Sequence, residues 1–253
     1  MNLYIMTKGR MGNQETLKHI PDKWLGRTYI VCPYGEHHPH QTIVEPCTMD
    51  HSDKLQWLME CIAKQPDGKG VVLDDDLWWD KRVGDKLEVI KDKNELAPMW
   101  DSVEKHLDEV PYVGIQPRMM GHKQPLPYRD IGKIITVYAA NINLFPDKKV
   151  PKIDYDPIMA DVHLNLHILA HGLRNRIVTE FVVNWKASQS PGGCDYRTLE
   201  MQRDAANRIA DMYDGYAKAV TKVPKFSKWL GDSRTDLRIQ WKKLYKEAPY
   251  GRA

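Results

Sequence analysis

No stretch of the chain comes near the roughly 18 consecutive apolar residues that a bilayer-spanning helix requires, and the N-terminus lacks the basic-then-apolar pattern of a secretory signal. The expectation is a cytoplasmic protein with no membrane partner. Its cysteines, Cys32, Cys47, Cys61 and Cys194, form no Cys-x-x-Cys pair, and the first three sit in apolar strand-like or helix-like contexts. Buried reduced thiols are therefore expected in place of disulfides or zinc ligands, and redox chemistry is not indicated. Low-complexity tracts and internal repeats are also missing. With 253 residues, 42% of them hydrophobic, and a formal net charge of +3, the chain has room for one large domain, or one domain with an appendage.

What is present is most informative between Gly70 and Trp79, where an apolar strand, Val71-Val72-Leu73, runs straight into Asp74-Asp75-Asp76. On an extended chain Asp74 and Asp76 point to one side and Asp75 to the other. Carboxylates at the end of a strand suit a hard divalent cation, Mg2+ or Mn2+, which binds one or two carboxylates, waters and the phosphates of a substrate. A solvated acidic turn accounts for the same residues without a metal.

The surrounding pattern is an alternation of strands and helices. Leu3 to Met6, Thr28 to Cys32, Thr42 to Val44 and Gly70 to Leu73 read as strands, and Leu55, Leu58, Met59 and Ile62 have the spacing of a helix with one buried face. This order predicts a mainly parallel sheet flanked by helices, with ligands at the carboxyl ends of the strands, where the aspartates lie. A helix from about Glu95 to Leu107 and strands over Tyr112 to Gln116, Ile134 to Asn141 and Ile177 to Asn184 follow. Ala160 to Gly172 reads as a helix between Asp161 and Gly172, Ser188 to Cys194 as a loop, and Ala205, Ile209, Met212, Tyr213 and Tyr216 as one face of a long amphipathic helix.

The tail differs in composition. From Lys218 to Arg252 there are ten Lys/Arg against three Asp/Glu, interleaved with Phe226, Trp229, Trp241 and Tyr245. Such a mixture suits phosphate backbones and exposed bases. It equally describes a basic amphipathic helix whose Trp241 and Leu244 pack on the domain. Two histidine groups stand out besides. His163, His167 and His171 share one helical face, the spacing of a metal site or of a structural stripe, and Glu36-His37-His38-Pro39-His40 carries transition-metal ligand types in a loop that also could frame a nucleotide pocket.

Taken in order, Thr7-Lys8-Gly9-Arg10 after the first strand, Asp74-Asp75-Asp76 after the fourth, Asp161 before an apolar helix ending at Gly172, and Gly192-Gly193-Cys194-Asp195-Tyr196-Arg197 resemble the TET/JBP-associated glycosyltransferases. The resemblance covers about residues 1 to 245. Where many relatives carry a Glu-Asp pair, Ala160 precedes Asp161 here. The family implies a GT-A-like, Rossmann-like domain over 1–217 with a helical basic extension over 218–253. It also implies a bacteriophage enzyme, working in the host cytoplasm, that moves a hexosyl or pentosyl unit from a nucleotide-sugar, UDP-sugar foremost, to a hydroxymethylated pyrimidine in DNA.

In that scheme Asp74 and Asp76, as a DxD motif, hold Mn2+ or Mg2+. Thr7, Arg10, Thr16, Asp75, Gly192 and Gly193 meet the nucleotide-sugar, and Asp161 acts as general base or, in the simpler reading, as a helix N-cap. Lys225, Lys228, Lys242 and Lys243 would contact DNA. A nucleotidyltransferase of related fold lacks support from a glycine-rich loop in Thr7 to Gln14, and a non-catalytic nucleic-acid-binding protein is the third reading. No protein partner is indicated.

Overall fold

The computed structural model describes residues 1–251 except 8, 48, 121–126, 150–157, 187–196 and 224–232. The chain forms β1 (Asn2–Met6), the short helices α1 (Glu15–Lys18) and α2 (Asp22–Leu25), β2 (Thr28–Cys32), β3 (Thr42–Val44), α3 (His51–Ala63) and β4 (Lys69–Asp74). Next come β5 (Leu77–Val83), β6 (Lys86–Val89), α4 (Ala97–His106), β7 (Tyr112–Pro117), β8 (Tyr128–Asp130) and β9 (Val137–Asn141). The remainder is α5 (Ala160–Ala170), β10 (Asn175–Trp185), α6 (Leu199–Met212), β11 (Ala217–Lys222), β12 (Arg234–Ile239) and α7 (Trp241–Glu247).

Ten strands form one mixed sheet in the order β3-β2-β1-β4-β9-β7-β10-β5-β6, with β8 attached to β10. Following the pairings across the sheet, β1, β2, β3, β4, β7, β10 and β6 run one way and only β9, β5 and β8 run against them. The mainly parallel α/β sheet expected from the sequence is therefore present. β-strand alternation sends Leu3, Ile5, Val71 and Leu73 into a core shared with Trp24, Trp79 and Trp100, and Tyr4, Met6 and Val72 into a second core under α3 and α5. Leu55, Leu58, Met59 and Ile62 are buried as their spacing predicts, and Asp50 caps α3 by accepting from the Asp53 amide at 2.9 Å. Gly70 lets α3 come close: a Cβ there would meet Ile62 Cγ1 at 2.5 Å.

Several expectations are corrected. The chain reverses after the aspartates into the β5-β6 hairpin, whose Gly84 takes φ 59° in a two-residue turn that suits the twist of the paired strands. The long amphipathic helix stops at Met212, so Tyr213 and Tyr216 belong to the turn that leads into β11. The basic extension is not chiefly helical: it is an antiparallel hairpin, β11 with β12, followed by the short α7. That hairpin, α6, α7 and the outer side of α5 share a third core containing Leu166, Ala205, Ile209, Tyr213 and Leu244. Cys32 is buried, but Cys47 is exposed in the loop after β3 and Cys61 is only partly covered; all three are free thiols. No helix among the described residues is long and apolar enough to cross a membrane.

Candidate active site at the β1–β4 edge

Strands β1 and β4 lie side by side and parallel, with Met6 opposite Asp74 at their carboxyl ends. From β1 the chain moves outward through β2 to β3, then crosses back over α3 to enter on the other side of β1 as β4. The winding thus reverses between β1 and β4, and the crevice outside such a reversal is where open α/β sheets bind ligands. The loop after β1 and the turn Asp75-Asp76 after β4 form its two lips.

The acidic turn is held from below. Thr16 Oγ1 donates to the Asp74 carbonyl at 2.6 Å and accepts from the Leu77 amide at 2.8 Å, while its own amide donates to the Asp75 carbonyl at 3.1 Å. Thr16 is fully buried, and its hydroxyl, for which the sequence suggested a nucleotide contact, is engaged in fixing the turn. Thr7 is similarly employed: its hydroxyl donates to Asp75 Oδ2 at 2.6 Å and accepts from Gln14 Nε2 at 2.9 Å. Asp75 is buried between Thr7 and Arg10, a support for the turn and not one of its outward carboxylates. Burial raises its pKa, against the opposing effects of the Thr7 hydrogen bond and the Arg10 charge. Arg10 spans the turn, Nη2 to Asp75 Oδ1 at 2.9 Å and Nη1 to Asp76 Oδ2 at 3.1 Å.

Sequence reasoning missed three supports of this edge. Gln14, besides binding Thr7, donates to the Arg10 carbonyl at 2.9 Å and so folds the loop back on itself. Lys54, on α3, donates to the Thr7 carbonyl at 3.2 Å and pairs with Glu45 just beyond β3; both are buried. Nothing in the spacing of a lone Lys and a lone Glu separates such a buried pair from two solvated charges. The Glu36–His40 segment lies beside the same loop: Glu36 Oε2 accepts from the Gly9 amide at 3.3 Å, and His40 Nε2 contacts the Thr28 carbonyl at 2.9 Å.

Asp161 belongs to α5, which packs with α3 on one face of the sheet. α5 begins beside the start of β9, tied there by Asn165 Nδ2 to the Ile134 carbonyl at 2.7 Å and by Asn175 Nδ2, which donates to Asn165 Oδ1 at 2.8 Å and to the Gly132 carbonyl at 2.7 Å. These three contacts bury fully satisfied amides and so fix the helix in position and rotation. Asp161 is not the N-cap: Met159, in a left-handed conformation with φ 73°, takes that place, and Asp161 stands in the first turn, where its charge acts on Asp74. Asp74 feels this crowding. Desolvation first, then the charges of Asp76, Asp75 and Asp161, push it well above the usual carboxylate range. The same burial, with Asp74 and Asp161 adjacent, raises the Tyr138 phenol.

Other expected sites fall out differently. His163 is buried edge-on to Tyr213, with ring centroids 5.8 Å apart, and His167 and His171 lie 4.4 Å apart against Tyr250. The stripe packs α5 beneath the C-terminal segment, and among the described residues no three His, Cys, Asp or Glu side chains are grouped to hold a metal by themselves. Lys242 and Lys243 project from α7, whose Leu244 is buried and whose Trp241 is partly covered, so the helix packs through its apolar side and offers its lysines outward. Lys243 also donates to the Gly215 carbonyl at 3.2 Å and lies over the Tyr216 ring at 5.2 Å. Gly192, Gly193, Lys225 and Lys228 lie outside the described residues.

The chain matches no protein-family model, and no curated protein matches its sequence. Among solved structures it is similar to S. aureus TarS. The 1-349 portion in complex with UDP aligns at 8% identity and TM-score 0.44 over 83% of this chain, and the same portion alone at 9% and 0.41 over 83%. TarS itself aligns at 9% and 0.44 over 83%. This chain spans 66% of the two shorter TarS chains and 40% of the longer one.

Proposed function

We propose that the chain is a GT-A-type glycosyltransferase that uses a divalent cation to move a sugar from a nucleoside diphosphate-sugar, a UDP-sugar, to the hydroxymethyl group of a modified pyrimidine in DNA. The observation that carries the reading is the position of Asp74 and Asp76 at the crevice where the sheet reverses its winding, with the Asp161 charge acting on Asp74. The family resemblance in the sequence names the donor and acceptor.

The carboxylates fit a hard cation. Asp74 feels the charges of Asp76, Asp75 and Asp161, which the Arg10 guanidinium offsets only in part, and a hard cation would relieve the remaining repulsion. Asp74 and Asp76 would hold Mn2+ or Mg2+, whose chemistry when bound is to offset charge on the departing diphosphate.

The chain's own residues supply the rest. Thr16, Thr7 and Gln14 keep the acidic turn rigid, so positioning energy is set before the donor arrives. Arg10, reachable from the crevice, would exchange Asp76 for a phosphate oxygen, a partner its planar fork also suits. The acceptor hydroxyl oxygen bonds to the anomeric carbon while the bond from that carbon to the diphosphate oxygen breaks, its electron pair leaving with the diphosphate. Asp161 takes the hydroxyl proton. The basic tail, with Lys242 and Lys243 directed outward and Lys225 and Lys228 in the same segment, supports an acceptor that is a phosphodiester chain.

Calorimetry with Mn2+ and a panel of nucleotides tests the reading. UDP binding that requires the cation is expected. A preference for nucleoside triphosphates points instead to nucleotidyl transfer, and no nucleotide binding at all leaves a non-catalytic nucleic-acid-binding protein.

A further inference from the structure

Away from the carboxylate edge, an arginine with no carboxylate partner among the described residues lines a cleft. β8 pairs with the start of β10, Arg129 opposite Ile177. Alternation along β8 sends its neighbours to one side, where Asp130 Oδ1 accepts from Arg176 Nε at 2.8 Å and Arg176 stacks 3.9 Å from the Tyr128 ring centroid. Arg129 faces the other side. Its Nε donates to Gln116 Oε1 at 3.1 Å, and among the described residues no acid pairs with it. Burial alone acts on its pKa and pushes it down. A Cβ on Gly132 would meet Arg129 Nη1 at 2.1 Å, so a side chain there would force the guanidinium to shift.

Arg129, Ile131, Gln240, Trp241, Lys242 and Lys243 line a shallow, open cleft of about 450 Å³. Its charge is all of one sign, three cations and no carboxylate among the lining residues. Trp241 and Ile131, partly buried against the third core, give it an apolar wall. A half-buried guanidinium without a counter-ion is costly unless an anion arrives, and the planar fork of Arg matches the oxygens of a phosphate. An indole beside it offers a face on which a flat ring can stack.

We propose that this cleft is a second nucleotide site, separate from the donor crevice, which takes a phosphate on Arg129 and the two lysines and lays the attached base against Trp241. A free mononucleotide and one unit of a single strand share this chemistry. The site shares Lys242 and Lys243 with the DNA contact of the proposed function and deepens that part of it, but none of its residues belongs to the carboxylate edge.

The test is fluorescence anisotropy of a labelled single-stranded oligonucleotide with the full chain, with unlabelled mononucleotide as competitor. Binding that weakens steeply from about 50 to about 200 mM salt is expected. Arg129→Gln should weaken it about tenfold or more. Gly132→Ala, which keeps the charge but displaces the guanidinium, should do the same, and Lys242→Gln, on the surface and harmless to folding, should weaken it about threefold. Asp76→Asn should leave it unchanged while removing cation-dependent UDP binding, so failure of one site is distinguishable from failure of the other. Full competition by mononucleotide assigns the site to free nucleotides, and its absence to a strand. The proposal is overturned if the parent binds neither probe, or if Arg129→Gln, Gly132→Ala and Lys242→Gln all bind like the parent.

Discussion

Arg10 Nη1 lies 3.1 Å from Asp76 Oδ2, so the loop after β1 already occupies one of the two carboxylates assigned to the cation. A guanidinium and a divalent ion cannot both neutralise the same oxygen at full strength. On the proposed function, Arg10 would compete with the ion when the nucleotide is absent and aid the phosphates when it is present. Arg10→Gln is expected to tighten binding of Mn2+ alone by about fivefold and to weaken UDP in saturating Mn2+ by about tenfold, the worth of a charge-assisted hydrogen bond. Titration calorimetry reads both. Unchanged values for both ligands would mean that Arg10 only buttresses the turn.

Asp161 gives a second test that separates chemistry from folding. Because Met159 and not Asp161 occupies the cap position, Asp161→Asn removes no cap, and it relieves repulsion with Asp74. The expected result is a turnover rate lower by about 10²- to 10⁴-fold, donor affinity within about twofold, and a melting temperature no lower than the parent's. A preserved rate would remove Asp161 from the reaction.

The buried Lys54 and Glu45 pair should matter well beyond its own contact. Glu45→Ala leaves the Lys54 ammonium buried without its carboxylate, at a cost of about 3 kcal/mol in unfolding free energy. Since Lys54 also holds the Thr7 carbonyl, nucleotide affinity should fall with it. The paired replacement Glu45→Leu with Lys54→Met should recover most of the stability but not the affinity. Denaturant unfolding alongside UDP titration distinguishes the two effects.

Stability is expected to fall in mild acid because of His167. Desolvation, then the charges of His171 and His163, lower its pKa to about 4. A histidine with a depressed folded-state pKa stabilises the fold above its unfolded value of about 6.5, and that contribution is lost as pH falls from there toward 4. Its size is on the order of 2 kcal/mol, below the full linkage value because the ring is partly open to solvent. Melting curves of the parent and His167→Phe should diverge most between pH 6.5 and 4, with the variant flatter. Parallel curves over that window would contradict the assignment.

Much of this architecture was legible in the chain. The strands that frame the crevice are short apolar runs, and the helix over Leu55 to Ile62 shows its buried face in its spacing, so local pattern and tertiary burial agree there. The acidic triplet marked the site because carboxylates at a strand end have few structural uses. What escaped notice depended on contacts distant in sequence. Thr7 and Thr16 looked like ligand contacts, but Asp75 and Asp74 claim their hydroxyls, and a hydroxyl's partner cannot be read from its own neighbours. Asp161 looked like a cap because the left-handed turn at Met159 leaves no mark in the sequence. The hairpin after Asp76 had a visible sign in Val83-Gly84-Asp85-Lys86, a turn dipeptide between strand-like segments. The histidine stripe showed its helical spacing, but the aromatic rings that bury it come from Tyr213 and Tyr250.

Sugar transfer to DNA through the Asp74–Asp76 edge would be read directly by mass spectrometry of nucleosides. DNA containing hydroxymethylcytosine or hydroxymethyluracil is incubated with the parent protein or Asp76→Asn, Mn2+ and a mixture of nucleotide-sugars, then digested. A modified nucleoside heavier by one hexosyl or pentosyl unit, produced by the parent and absent with Asp76→Asn, is the predicted result. No mass gain on either DNA with any donor, or the same gain from Asp76→Asn, contradicts the account.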